Sequence, residues 1–187
     1  MDYLTKLSPL PGWVGKSFGW CGHLDLSVGH DVVMSNRNKG VLLVVVQFLL
    51  LFTIVVLPHD EMWPVSETLG TIAVLILIAG LAITLFGIVS LGSSLTATPV
   101  PKDGAVLRTT GMYAIVRHPI YLGLILFGLG LTLPSGSVLT VISYGLLIFL
   151  LSYKARFEEQ LLIAQYPQYR AYASRVGRIL PFVGKLH

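Results

Sequence analysis

Two pairs of ionisable side chains stand at the ends of a predicted membrane hairpin, where they could do chemistry together. Arg117 and His118 directly precede an apolar run that begins at Pro119, and Glu158 and Glu159 directly follow a second apolar run. A histidine or a carboxylate can take a proton from a substrate, and an arginine can hold an anionic group. Because a short link joins the two runs, the sequence predicts that His118 and Glu158 lie close together at one surface of a bilayer.

The start of the first of these runs is itself a candidate binding feature. A residue before proline is pushed toward extended backbone and proline is favoured at the first helical position, so we expect His118 to cap a helix that begins at Pro119. Free amide hydrogens and the helix dipole would hold an anionic group there, beside Arg117. Tyr121 follows in the first turn, and Gly123 leaves room for a ligand or a neighbouring helix. Each residue also has a plainer interpretation as a membrane-border or packing residue, but their combined spacing favours a site.

Composition sets the environment of these residues. The chain has 187 residues, of which 54% are hydrophobic and 12% are charged, whereas soluble domains carry about 25% charged residues. The apolar residues are clumped, so the sequence predicts an all-α integral membrane bundle of about four transmembrane helices. The third run is short and would extend only about 22 Å at 1.5 Å per residue. The four runs are 41–57, 68–91, 119–133 and 137–153.

The distribution of basic residues predicts the orientation of the bundle. Arg37 and Lys39 precede the first run, the loop after it has acidic residues only, and basic residues return in the loop 92–118 and in the C-terminal tail. By the positive-inside rule, both termini and this loop are cytoplasmic, and so is the active site. The same bias explains the formal charge of +4. The basic residues form no nucleic-acid-binding motif, and no nucleic-acid partner is predicted.

The segment after the fourth run carries further candidate groups. Lys154 and Glu158 stand at i, i+4 spacing and can face one another on a continuing helix. Beyond them, three tyrosines at a spacing of three are interpreted as a helix that lies against the lipid headgroups. They are Tyr166, Tyr169 and Tyr172.

These residues together resemble a known enzyme family. The C-terminal half, roughly 92–182, is similar to the isoprenylcysteine carboxyl methyltransferase family, and the related membrane phospholipid methyltransferases share much of the pattern. The matching positions are Leu107, Gly111, Tyr113, Arg117-His118-Pro119, Tyr121 and Gly123, then Glu158-Glu159, Leu161-Leu162, Tyr169 and Tyr172, ending near Pro181.

The resemblance implies a methyltransferase that uses S-adenosyl-L-methionine, enclosed between the hairpin, the cytoplasmic loop and the C-terminal helix. It places Leu107 and Tyr113 around the adenosine, His118 and Tyr121 at the cofactor, and Glu158 at its polar end. His118 and Glu158 are also the candidate catalytic groups. Gly111, Arg117, Pro119 and Glu159 complete the implied cofactor-binding set.

The implied acceptor is a lipophilic or prenylated molecule that enters from the bilayer. Members of the family often have an arginine four residues before the glutamate that matches Glu158, and this chain has Lys154 there. Lys154 and Arg156 are the candidate acceptor-binding residues. The chain also lacks the additional N-terminal span that members commonly have. O-, N- and S-methylation all stay open at this point, so a phospholipid, an isoprenoid or a thiol remain alternative acceptors.

Two other functions are alternatives for this sequence. Sterol reductases of membranes are similar in this region and bind a nicotinamide cofactor, but their pattern has asparagine where Ile120 stands and an acidic residue where Leu124 stands. A non-catalytic membrane protein, such as a carrier, would place stronger polar groups within its spans. The methyltransferase interpretation therefore fits the sequence best.

The sequence divides into three regions. Residues 1–33 are predicted to be a dispensable extension, 34–91 hold the first two transmembrane helices, and 92–187 form the catalytic region. The single Cys21 excludes an internal disulfide. Cys21 with His23 and His30 has no supporting carboxylate pair, so no metal site is predicted.

Overall fold

A computed structural model describes residues 27–57, 59–94, 98, 100 and 106–186, with side chains from residue 36 onward except at residue 93. The predictions about residues 1–26, including those on Cys21 and His23, lie outside the described residues. The described chain is helical, and its one β-type contact is an isolated parallel bridge between Val116 and Gly177. The α-helices are α1 (Ser27–Val56), α2 (Glu67–Leu91), α3 (Pro119–Thr132), α4 (Val138–Gln165) and α5 (Tyr169–Ala173), and the short 3-10 turns are Gly92–Ser94, Gly111–Ala114 and Leu133–Ser135.

The lengths of these helices confirm the predicted helical membrane bundle. Three segments are long and apolar enough to cross a bilayer, namely Asn36–Val56 of α1, α2 and α4. Helix α3 is shorter, because its 14 residues extend about 21 Å against a hydrocarbon core of about 30 Å. It begins at Pro119 with His118 at its cap, as the sequence predicts.

Helix α4 is longer than a bilayer requires. Its 28 residues extend about 42 Å, so its last turns project beyond a core of about 30 Å. Glu158 and Glu159 lie in these last turns. This placement puts both carboxylates near one surface of the bundle.

The two short connections meet at the opposite end of the bundle. The backbone amides of Asp60 and Met62 donate to the carbonyl oxygens of Ser135 (2.8 Å) and Gly136 (3.1 Å). Gly136 has a φ of +61°, and a Cβ built on it would lie 2.0 Å from the Asp60 oxygen, so only glycine fits there. Because the α1–α2 and α3–α4 connections share this end, the loop 92–118 and the C-terminal tail share the other.

Helices α2 and α3 pack through small residues. Gly80 and Gly123 face one another so closely that a Cβ on Gly80 would lie 2.4 Å from the Phe127 amide nitrogen. Thr84 sits at the same contact, where its hydroxyl donates to the Gly80 carbonyl at 2.9 Å. The space at Gly123 is therefore taken by a neighbouring helix, which was one of the two sequence expectations for this position.

Helix α1 packs mainly against α4. The buried residues of this contact include Ile54, Leu147 and Leu151, while many other apolar side chains face outward, as expected for helices in lipid. α1 begins at Ser27, ahead of the predicted boundary at Met34. The predicted division of the chain into three regions remains a prediction.

Candidate functional site

A cavity of about 310 Å³ lies at the end of the bundle that carries the long loop and the tail. Its wall includes parts of α1, α2, α3, α4 and the tail, which brings together residues from 44 to 172. This size is at the lower limit of small-molecule sites. Seven sequence-predicted site residues line it: Leu107, Tyr113, Arg117, His118, Tyr121, Lys154 and Glu158.

His118, Tyr121 and Glu158 form one contact group in this cavity. The Tyr121 hydroxyl donates to Glu158 Oε2 at 2.8 Å, and His118 Nδ1 lies 3.6 Å from the same oxygen. The His118 and Tyr121 rings are stacked, with centroids 5.1 Å apart and an interplanar angle of 3°. His118 and Tyr121 are three residues apart and share one face at the start of α3. The predicted proximity of His118 and Glu158 is present in the structure.

Lys154 has a different partner from the one expected. Its ammonium group donates to Gln47 Oε1 on α1 at 2.8 Å and lies 5.1 Å from the centre of the Tyr121 ring. Lys154 and Glu158 both face the cavity, but the ammonium group hydrogen-bonds to Gln47 rather than to Glu158. Both Gln47 and Lys154 are buried, with exposed fractions of 6% and 5%.

Arg117, which lines the cavity, pairs with Glu159, which lies outside the lining, in a buried network. Arg117 Nε donates to Glu159 Oε1 at 2.8 Å, and Arg178 Nε donates to Glu159 Oε2 at 2.8 Å. The terminal nitrogens of Arg117 donate to the carbonyl oxygens of Ala173, Val176 and Gly184. The guanidinium group is thus occupied by intramolecular acceptors, and direct cofactor binding by Arg117 and Glu159 gains no support from this geometry.

The C-terminal tail returns to the start of α3. The backbone amides of Arg117 and His118 donate to the carbonyl oxygens of Gly177 and Arg178, both at 2.9 Å. These bonds satisfy amide groups that precede the first helical turn of α3. The tail therefore fixes the backbone that carries His118.

Three tyrosines of the cavity wall are buried in addition to Tyr121. Tyr172 donates through its hydroxyl to the Tyr113 carbonyl oxygen, and Tyr169 packs edge-on against the Tyr172 ring. Burial raises the pKa of Tyr172 to about 12, and burial likewise raises the pKa values of Tyr113 and Tyr169. The interpretation of this tyrosine series as a helix against the headgroups is wrong for Tyr169 and Tyr172, which instead close the cavity.

Four predicted site residues lie outside the cavity lining. Gly111 has a φ of +63° and forms a turn before Tyr113, and Pro119 is buried at the first position of α3. Glu159 faces the arginine network, and Arg156 is exposed. Sequence reasoning missed Gln47 and Arg178, and no local spacing pattern marks either residue.

The lining has the chemistry that S-adenosylmethionine would require. Tyrosine rings can contact a purine base and a sulfonium cation, and Glu158 offers a carboxylate to an ammonium or hydroxyl group. The buried Tyr169 hydroxyl has no hydrogen-bond partner among the described residues, whereas His118 Nε2 lies 3.5 Å from Glu159 Oε1. A buried hydroxyl without a partner is expected where a ligand completes a site. The residues present therefore fit this cofactor.

A bundle of membrane helices with an aromatic and acidic cavity at one surface defines an integral membrane protein with a built ligand site. A sequence profile of the phospholipid methyltransferase family matches residues 69–169, more than half of the chain. The protein therefore belongs to the phospholipid methyltransferase family and is a membrane methyltransferase, which confirms the resemblance noted from the motifs. No curated protein shows significant sequence similarity to the chain.

Proposed function

We propose that the protein transfers a methyl group from S-adenosylmethionine to a lipophilic acceptor that reaches the cavity from the bilayer. The observation that carries this proposal is the joint placement of His118, Tyr121, Lys154 and Glu158 in one cavity at a bilayer surface. The family match supports the reaction class, and members of the family generally use this cofactor.

The cofactor would be held by the aromatic and acidic part of the lining. Leu107 and Tyr113 would contact the adenosine, the Tyr121 ring would favour the positive charge, and Glu158 would bind the polar end. When bound, the cofactor supplies an electrophilic methyl group on a sulfonium with a neutral thioether as leaving group. The residues of the chain need only position the reactants and exclude water, since neither a covalent nucleophile nor a metal ion is required for such a displacement.

The acceptor would occupy the apolar part of the lining. This part comes from the membrane helices and contains Val44, Phe48, Ile88, Leu91 and Leu124. Lys154 is the basic group of the membrane helices in this lining, so it would orient a carboxylate or a phosphate. A carboxylate on a prenylated cysteine fits this arrangement, and we assign the acceptor contact to Lys154 rather than to the exposed Arg156.

Methylation of a phospholipid amine is the second candidate. An ammonium acceptor must lose a proton before methyl transfer, and His118 and Glu158 are adjacent groups in the cavity that could accept it. The family name also favours this acceptor. In this case Lys154 would bind the lipid phosphate.

Binding of S-adenosylhomocysteine to the detergent-purified protein, measured by calorimetry, tests the cofactor assignment. Glu158→Gln removes a charge-assisted hydrogen bond and should weaken binding by about 1.5–3 kcal/mol, or about 10- to 150-fold. Lys154→Met should leave the binding constant nearly unchanged. Equal weakening of S-adenosylhomocysteine binding in both variants would assign residues 154–158 a structural role. Binding of a nicotinamide cofactor instead would establish a reductase.

The acceptor is tested with radiolabelled S-adenosylmethionine in proteoliposomes. A farnesylated N-acetylcysteine and a phosphatidylethanolamine are offered separately, and incorporated methyl groups are counted in the lipid extract. Labelling of the farnesylated cysteine that is lost in Lys154→Met would support carboxyl methylation. Labelling of the phosphatidylethanolamine alone would establish the second candidate, and labelling of neither would reject both.

A further inference from the structure

The C-terminal tail contains an exposed apolar turn, residues 177–184, which we call the C-terminal turn. Leu180, Phe182 and Val183 have exposed fractions of 52%, 82% and 59%. Three large apolar side chains among four consecutive residues are unusual on a surface that faces water. The proposed methyl transfer makes no use of them.

The C-terminal turn is fixed to the membrane bundle. The Arg178 amide donates to the Val183 carbonyl at 2.8 Å, which closes the turn, and Arg117 Nη2 donates to the Gly184 carbonyl at 2.7 Å. Ile179 packs against the transmembrane cluster that contains Leu151. Because the Gly177 and Arg178 carbonyls bind the backbone directly before α3, the turn lies where the chain enters the bilayer.

Phe182 has an unusual backbone conformation. Its φ is +66°, and it is the one non-glycine residue with positive φ in the described part of the chain. Bulky side chains rarely adopt this conformation. The surrounding protein does not bury the ring in return, since the ring is exposed.

The charge around the C-terminal turn is positive. Between residues 160 and 187 the chain has four arginines and lysines and no aspartate or glutamate. Arg170 and Arg175 are exposed, and Lys185 Nζ lies 5.3 Å from the centre of the Phe182 ring. Exposed apolar groups flanked by basic groups are the features that bind an anionic bilayer surface.

We propose that the C-terminal turn inserts Leu180, Phe182 and Val183 into the headgroup region of the bilayer in which the helices lie. The basic residues that flank the turn, Arg170, Arg175 and Lys185, bind anionic phospholipids there. The position of the turn beside the start of α3 and the basic residues around it both support this partner. The proposal does not depend on the identity of the methyl acceptor. It concerns lipid that surrounds the protein, not lipid in the cavity.

Spin-label accessibility of the full-length protein in vesicles tests this proposal. In a Cys21→Ser background, a nitroxide is attached at Phe182→Cys, and the matched control is the exposed Ser174→Cys in the same tail. The vesicles contain phosphatidylcholine with or without phosphatidylglycerol. Power saturation compares oxygen, which concentrates in the bilayer, with a water-soluble nickel chelate.

We expect oxygen to exceed the nickel chelate in accessibility at Phe182 and the reverse at Ser174. Phosphatidylglycerol should increase the depth of the label at Phe182 in the bilayer. The double variant Arg175→Gln and Lys185→Gln should remove that effect. Nickel accessibility at Phe182 equal to that at Ser174 would overturn the proposal. Low accessibility to both reagents would also overturn it, because protein would then cover the turn. Val183→Cys repeats the measurement with the phenyl ring intact.

Discussion

Gln47 determines what Lys154 and Glu158 can each contact. Lys154 and Glu158 are one turn apart on α4, where a lysine and a glutamate would normally pair. Gln47 instead accepts the Lys154 ammonium at 2.8 Å, and Glu158 accepts from Tyr121 at 2.8 Å. Helix α1 therefore supplies the hydrogen-bond partner of Lys154, although Gln47 lies outside the segment that matches the family.

We predict that Gln47→Leu lowers the affinity for S-adenosylhomocysteine. Without its amide partner, Lys154 would pair with Glu158 and compete with the cofactor for this carboxylate. We expect the affinity to fall roughly tenfold, which corresponds to the loss of about one charge-assisted hydrogen bond. Calorimetry measures it, with Thr53→Val on the same helix as control, because Thr53 lies outside the cavity lining. Unchanged affinity in Gln47→Leu would show that Lys154 stays away from Glu158 for another reason.

A second prediction concerns Tyr172 and pH. Its raised pKa of about 12, against an ordinary 10, means that the folded protein favours the neutral phenol. This contribution to stability is complete below pH 10 and is lost as pH rises through 12. The thermal unfolding midpoint in detergent should fall across this window. Tyr172→Phe should lose about 1 kcal/mol of stability at neutral pH, from its hydrogen bond to Tyr113, and show a smaller alkaline decrease. If Tyr172→Phe and the unmodified protein lost stability identically at alkaline pH, the assignment of this loss to Tyr172 would be contradicted.

Residue positions were predictable from the sequence where they depend on local spacing. His118 and Tyr121 share a face of α3, and the hairpin brings Glu158 to them. The adjacent carboxylates Glu158 and Glu159 point about 100° apart on a helix, so we expect only one of them to enter the cavity. A single sequence does not show whether that residue is Glu158 or Glu159. The partner of Lys154 could not be predicted, since Gln47 is 107 residues away.

At the scale of elements, the α2–α3 contact holds the start of α3 in place. Backbone approach at Gly80 and Gly123 leaves no volume for a side chain. Such close contact through small residues is typical of helix association in membranes, where lipid offers no hydrophobic driving force. The position of His118 at the cap of α3 therefore depends on glycines in the middle of the bundle.

We predict that Gly80→Ala destabilises the bundle, whereas Gly145→Ala does not. A Cβ at Gly80 would meet the α3 backbone at 2.4 Å, while nothing lies within 4 Å of one at Gly145. The first change should cost about 1–3 kcal/mol from overpacking, and the second should be neutral or slightly stabilising because alanine favours helix. Thermal unfolding in detergent compares them. Equal midpoints would mean that α2 and α3 are free to separate.

The elements themselves were largely predictable. Clumped apolar residues predict α1, α2 and α4, and the proline rule predicts the start of α3 at Pro119. The start of α1 at Ser27 was not predicted, because residues 27–33 are not apolar enough to belong to a span. The burial of Tyr169 was also missed, since a spacing of three indicates one helical face but not what that face contacts.

At the scale of the whole molecule, both short connections lie at one end of the bundle and the cavity lies at the other. We predict that Glu61 and Gln168, which are both exposed, are on opposite sides of the membrane. Single-cysteine variants at these positions, in a Cys21→Ser background, should react with an impermeant maleimide from opposite sides of sealed vesicles. By the positive-inside rule, Gln168 should be cytoplasmic. Labelling of both from one side would refute the arrangement.

The return of the tail to α3 is the global feature that the sequence did not predict. The bridge between Val116 and Gly177 joins residues that are far apart in the chain, and it involves backbone groups rather than a side-chain pattern. Composition predicts helices that are long and apolar enough to cross a membrane, and charge distribution predicts their orientation. They carry no information about which backbone amides outside it are paired.

This late contact has a consequence for biogenesis. Residues 173–184 leave the ribosome after all four apolar helices, yet they supply the carbonyl groups that bind Arg117 and fix the backbone of His118. The helices can enter the membrane during translation, but the backbone that carries His118 is fixed only when these residues have been synthesised. A nascent chain that stalls before residue 173 therefore carries every residue of the cavity lining but lacks the contacts that hold Arg117 and His118.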